Sequence, residues 1–209
     1  MIFPAIDHMA KRNDVLITMA IAVIIIVVIF VVFFWSGLIK QPPVSTKDPT
    51  AYVLDGVKYQ FTGNMTEAWK FGPVIDENNI TNKIRSSRDV VIVFNGSSQE
   101  DNGYFAMLSF NLVAKLQSFY TYTAGRVVRF GNIDFNNASS DTVLSDDWTY
   151  IYLVGPKTGA NKNVMTLGPS LMINNQTTNS SWVYIEAADY SNLTKGVDKL
   201  ALMTIGYKE

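Results

Sequence analysis

Three kinds of apolar pattern follow one another along the 209 residues. The first is a block from Val15 to Ile39, running through Ile26 and Phe34, in which no charged residue occurs. At about 1.5 Å per residue, a helix of that length crosses the roughly 30 Å hydrocarbon layer of a bilayer. Asp14 and Lys40 bound the run, and Trp35 falls at the level of an interfacial aromatic belt. A cleaved signal peptide is the main alternative, since Lys11 and Arg12 precede the run. Its apolar region, however, holds only about 7–15 residues and ends in small side chains, whereas this one ends in Phe33, Phe34 and Trp35. The pattern predicts a cytoplasmic N-terminus over 1–14, a retained transmembrane helix over 15–39, a stalk over 40–50 stiffened by Pro42 and Pro43, and an extracytoplasmic domain over 51–209.

The second kind is strand-like. Tyr52–Leu54 and Val57–Phe61 flank Asp55-Gly56, which predicts a tight hairpin with a type I′ turn. From Asn64 to Arg88 no period is sustained, so irregular structure is expected, with one strand around Trp69–Phe71. Asp89–Phe94 is a continuous β-branched run, Asn95–Asn102 is polar turn material, Gly103–Tyr122 reads as a helix ended by Gly125, and Arg126–Phe130 reads as a strand. That order is a βαβ unit. A second unit is expected from strand Thr149–Val154, through Gly155–Gly168 with a short helix, to strand Trp182–Ala187. Ser191 is placed as the N-cap of a closing helix that carries Leu193, Val197, Leu200 and Thr204 on one side and stops at Gly206. The fold class is therefore α/β: a sandwich with a mostly parallel sheet and the hairpin at one edge.

The third kind is the helix at Gly103–Tyr122, apolar on two sides. Phe105, Leu108, Leu112, Leu116 and Phe119 form one line, Met107, Phe110 and Ala114 form another, and Lys115 is the single charge. Either strands cover one side and the hairpin or the Asn64–Arg88 segment the other, or Met107, Phe110 and Ala114 stay bare as interface residues for a homo-oligomer or a protein partner.

Composition narrows the function classes. A net charge of −1, with no dense run of Lys or Arg beyond the anchor, sets nucleic acid aside as a partner. Zero cysteines remove disulfides, zinc-thiolate sites and thiol nucleophiles, and the one histidine, His8, precedes the anchor, which leaves carboxylates as the strong acid/base groups of the domain. Seven Asn-x-Ser/Thr acceptors, at Asn64, Asn79, Asn95, Asn137, Asn175, Asn179 and Asn192, all follow the anchor, which points to N-glycans and to an outer-surface location in the cell membrane.

Motifs of chemistry are sparse. Gly155-Pro156-Lys157-Thr158-Gly159 lacks the spacing of a phosphate loop, and Pro156 removes an N–H donor, so it reads as a turn. Glu100, Asp101 and Asn102, with Asp134 and Asp189, fall at strand-to-loop positions where an oxygen-ligand calcium site can form, though capping and turn roles explain them more simply. The anchor has no G-x-x-x-G pair and no internal charge, so it shows neither a dimer seam nor an ion path. No cofactor is implied.

The segment Asp89–Phe130, with its Asp101-Asn102-Gly103-Tyr104 helix start, and the segment Lys195-Gly196-Val197-Asp198-Lys199-Leu200 resemble uncharacterised small single-pass archaeal surface proteins. The resemblance implies location and an archaeal origin, and includes no catalytic motif. The expected function is a structural or protein-interaction role at the cell surface, with self-association and without enzymatic activity. Two alternatives stand beside it: an accessory subunit of a larger membrane complex, and a carboxylate-based hydrolase acting on surface glycans.

Overall fold

A computed structural model describes residues 48–139 and 141–208. The predicted cytoplasmic N-terminus, the transmembrane helix Val15–Ile39 and most of the stalk lie outside the described residues. Among the described residues no helix is long and apolar enough to cross a membrane.

The hairpin forms as expected. Strands β1 (Ala51–Leu54) and β2 (Val57–Gln60) pair antiparallel around Asp55 and Gly56, at φ 51° and 81°. Both turn residues are left-handed, as a type I′ turn requires. Its place differs from the expectation, because the hairpin is a separate two-stranded sheet and not an edge of the main one.

The Asn64–Arg88 segment is helical where irregular structure and a strand were expected. Helix α1 (Met65–Trp69) is capped by the Asn64 side chain, which accepts from the Thr66 N–H at 2.9 Å. Helix α2 (Glu77–Ser86) buries only Ile80 and Ile84. A stripe of two residues one turn apart is too short to register as a period, yet it suffices once another helix covers it.

The main sheet has five strands in the order β4-β3-β5-β7-β6. They are β3 (Asp89–Phe94), β4 (Arg129–Asp134), β5 (Thr149–Val154), β6 (Val164–Gly168) and β7 (Trp182–Glu186). Four are parallel and β6 runs antiparallel to β7. The α/β class and the mostly parallel sheet are thus found; in the second unit β5 and β7 pair in parallel as expected and a short 3₁₀ turn lies at Pro156–Thr158, but no α-helix crosses between them, and Val164–Gly168 is instead an edge strand. The segment at Pro73–Ile75 pairs with its free edge, Ile75 N–H donating to the Met165 carbonyl and Met165 N–H to that of Pro73.

Helix α3 (Gln99–Ser118) begins four residues earlier than expected, on Ser98, whose hydroxyl accepts from the Asp101 N–H, and it runs on into a π-turn over Phe119–Thr123. Helix α4 (Tyr190–Ile205) is capped by Asp189, in place of the expected Ser191, and ends at Gly206 with φ 84° as expected.

Alternation along β3 divides the interior. Val90, Ile92 and Phe94 join the core made with all four helices and with Tyr59 and Phe61 of the hairpin side. Val91 and Val93 face the other way, onto Ile133, Tyr150, Tyr152 and Trp182, with no helical residue among them. That second face is closed by loops, through Phe135, Leu144, Trp148 and Leu171. Every residue of β5 is buried, as befits a central strand covered on both sides.

Candidate functional site

Helix α3 splits cleanly by side. Phe105, Leu108, Leu112, Leu116 and Phe119 are buried, whereas Met107 is 45% exposed, Phe110 72% exposed, and Ala106 and Ala114 are also exposed. The expectation that strands and hairpin together bury both sides is therefore corrected. The reason is where the flanking pieces go: α1 packs mainly on α4, and the hairpin meets α3 beside Lys115 and Thr123, leaving the line of Met107 bare. Between hairpin and helix runs a groove of about 460 Å³, with Tyr59, Phe61, Asn111 and Ala114 in its walls. Between Gly103 and Gln117, about four turns, the bare strip carries no charge, because Lys115 turns inward; Glu100 lies one turn beyond its start.

Lys115 finds its partner on a distant helix. Its ammonium sits 3.1 Å from the Asp198 carboxylate, the side chains being 6% and 2% exposed, and 5.4 Å from the centre of the Phe61 ring. The Thr62 N–H donates to the same carboxylate at 3.2 Å. Burial pushes the Asp198 carboxyl up from its ordinary value, more than Lys115 and the backbone donors of Thr62 and Gly63 pull it down. The pair ties α3, α4 and the turn after β2 together. Sequence reasoning missed it, although Asp198 shares the inward side of α4 with Val197 and Ala201, and a lone acid there is a signal.

The carboxyl edge of the sheet, where α/β folds place ligands, is filled by the protein's own side chains. Buried Asp101 accepts from the hydroxyls of Ser97 and Tyr190 and, at 3.2 Å, from Lys157. These donors, Ser97 first, hold its carboxyl well below the usual range. Burial first, then Asp101, push the Tyr190 phenol up to about 12. Phe94 stacks on Phe105 at 5.7 Å, and a Cβ on Gly155 would stand 3.0 Å from the Phe105 ring, so the crevice has no spare room. Gly155–Gly159 is a 3₁₀ turn closed by the Thr158 hydroxyl.

The residues considered for calcium do not converge. Glu100 is exposed and Asn102 half-buried, while Asp134 caps the short turn after β4 and Asp189 caps α4. Among the described residues no group of three or more His, Cys, Asp or Glu is placed to hold a metal ion.

The sequons sort by the state of the amide nitrogen. Asn64, Asn79 and Asn175 are exposed. Asn137, Asn179 and Asn192 donate that nitrogen to Asp134, Asp146 and Asp189. Asn95 is half-buried at the end of β3.

No family model, curated protein or solved structure matches this chain. Its functional reading therefore rests on geometry, and the most distinctive geometry is the bare side of α3.

Proposed function

We propose that this is a membrane-tethered surface protein whose domain associates with a second copy of itself through the bare side of α3. The carrying observation is the exposure of Phe110 at 72%, with Met107 and Ala114 beside it, on a strip without charge. A second copy suits this strip for two reasons. A charged partner finds no complement there, whereas a copy brings no like charge across a two-fold axis. Phe110 also stands one helical turn from Ala106 and one from Ala114, so in an antiparallel α3 pair each ring rests on an alanine of the other helix.

The area argues for tethering. The strip offers on the order of 400 Å² per copy, about half of the roughly 800 Å² per partner of a standard interface. Such contacts are weak in dilute solution and become effective where an anchor confines the copies and raises their local concentration.

Because the chain has no cysteine, a single introduced thiol reports the contact. Full-length Ala114→Cys in phosphatidylcholine vesicles is expected to form dimers with a short bis-maleimide, and adding Phe110→Asp is expected to abolish them without changing the melting curve. Cross-linking no greater than that of an Asn175→Cys control overturns the proposal. A stoichiometric foreign subunit joined at the introduced thiol in native membranes instead favours the accessory-subunit reading.

A further inference from the structure

The amino edge of the sheet concentrates positive charge that the linear sequence disperses. Lys83, Arg85 and Arg88 lie in one stretch, Arg126 and Arg129 in another. Parallel pairing of β3 with β4 sets Asp89 opposite Arg129 and brings the two stretches together, Arg129 N–H donating to the Arg88 carbonyl and the Arg126 guanidinium to that of Ser86. No dense basic cluster is expected from the sequence, yet the fold builds one. Three of its members, Lys83, Arg88 and Arg129, line a polar cleft of about 540 Å³ together with Ser87, Asp147 and Trp148.

Each cation has to be accounted for. Arg129 is held bidentately by Asp89 at 2.5 and 2.9 Å, and Arg85 donates to the Thr204 carbonyl at the end of α4. Lys83 and Arg88 have no ion pair among the described residues. Burial pulls the Lys83 ammonium down, with no carboxylate opposing it. The plain structural explanation is that these cations balance helix ends, since α2, α3 and α4 all finish at this edge. Its magnitude falls short at the cleft itself. Arg85 and Arg126 lie outside its walls, on the end of α4 and over the Tyr120 ring, so Lys83, Arg88 and Arg129 less the carboxylates of Asp89 and Asp147 leave one positive charge there, against about half a negative charge from the end of α2.

We propose that this cleft binds a phosphate-class oxyanion, held by Lys83 and Arg88 against the wall fixed by the Arg129–Asp89 pair. The volume suits one phosphate ester or a single lipid headgroup. An oxyanion there supplies the counter-charge that Lys83 lacks, and the guanidinium of Arg88 offers paired donors to its oxygens.

Trp148 in the wall provides the readout. The full chain in neutral detergent at low ionic strength is titrated with inorganic pyrophosphate while tryptophan fluorescence is followed. A saturable change is expected, lost in Trp148→Phe and shifted about tenfold or more to higher concentration in Lys83→Met and in Arg88→Gln, with Lys195→Gln as an unshifted control. Neither Lys83 nor Arg88 makes an ion pair among the described residues, so both variants are expected to melt like the parent. A response that fails to saturate, or an Arg88→Gln midpoint equal to that of the control, overturns the proposal. Repeating the titration in nanodiscs separates the sources. Weaker pyrophosphate binding in discs containing phosphatidylglycerol than in phosphatidylcholine alone assigns a lipid headgroup, and equal binding assigns a free phosphate ester.

Discussion

Replacing Lys115 with Met strands the Asp198 carboxylate in a site where it is 2% exposed, 3.1 Å from the ammonium that is removed. Breaking one side of a buried pair costs about 3–5 kcal/mol, chiefly because the remaining charge is left without compensation. For a domain of this size about 1 kcal/mol moves the midpoint by roughly 2–4 °C, so melting is expected to fall by about 6–20 °C at pH 7. The pH dependence carries the sharper test. Burial already raises the Asp198 carboxyl above its unfolded value, and without Lys115 the rise is larger. A carboxyl raised in the folded state favours folding when protonated, and that advantage is lost as pH climbs through the folded value. The deficit of Lys115→Met is therefore expected to shrink between pH 7 and pH 5. Asp198→Asn keeps an acceptor for the Thr62 N–H but strands Lys115, and the double variant strands neither. It is expected to recover about 2 kcal/mol or more over the sum of the singles. Circular-dichroism melts of the full chain in neutral detergent measure all four corners of the cycle. Additive single effects, or a Lys115→Met deficit that is flat with pH, refute the buried-pair reasoning.

Three further outcomes are expected. Leu112→Asp, which puts a charge on the fully buried line of α3, should cost more than about 3 kcal/mol and abolish the cooperative melt, in contrast to the neutral Phe110→Asp one half-turn away. Gly196→Ala should cost about 1–3 kcal/mol by thermal or urea unfolding, because its Cβ would stand 2.6 Å from Ile185 and 2.9 Å from Phe71. In a host that attaches N-glycans, peptide mass spectrometry of the exported chain should find sugar on Asn64, Asn79 and Asn175 and none on Asn95; a glycan at Asn95 in folded protein contradicts its half-buried place at the end of β3.

Elements with a strong local signal were legible in the sequence. Asp89–Phe94 reads as a strand because a strand covered on both faces needs apolar residues at nearly every position, and Asp55-Gly56 reads as a hairpin turn because few dipeptides tolerate two left-handed residues. Helix α2 and strand β6 were not legible. The first shows only Ile80 and Ile84, and the second is five residues long, with its burial decided by β7 on one side and the distant Pro73–Ile75 segment on the other. Of the candidate docking face, the residues Met107, Phe110 and Ala114 could be named in advance, but their exposure could not.

By itself, the sequence determined the alternation of strands and helices, the apolar character of both sides of α3 and the lack of histidine and cysteine chemistry in the domain, since each depends on residues close together in the chain or on simple composition. Only the tertiary structure decided which side of α3 stays bare, that Asp198 meets Lys115, and that cations from two separate stretches crowd one edge of the sheet. Those outcomes depend on which distant segments pack together, and period and propensity act only over a few turns.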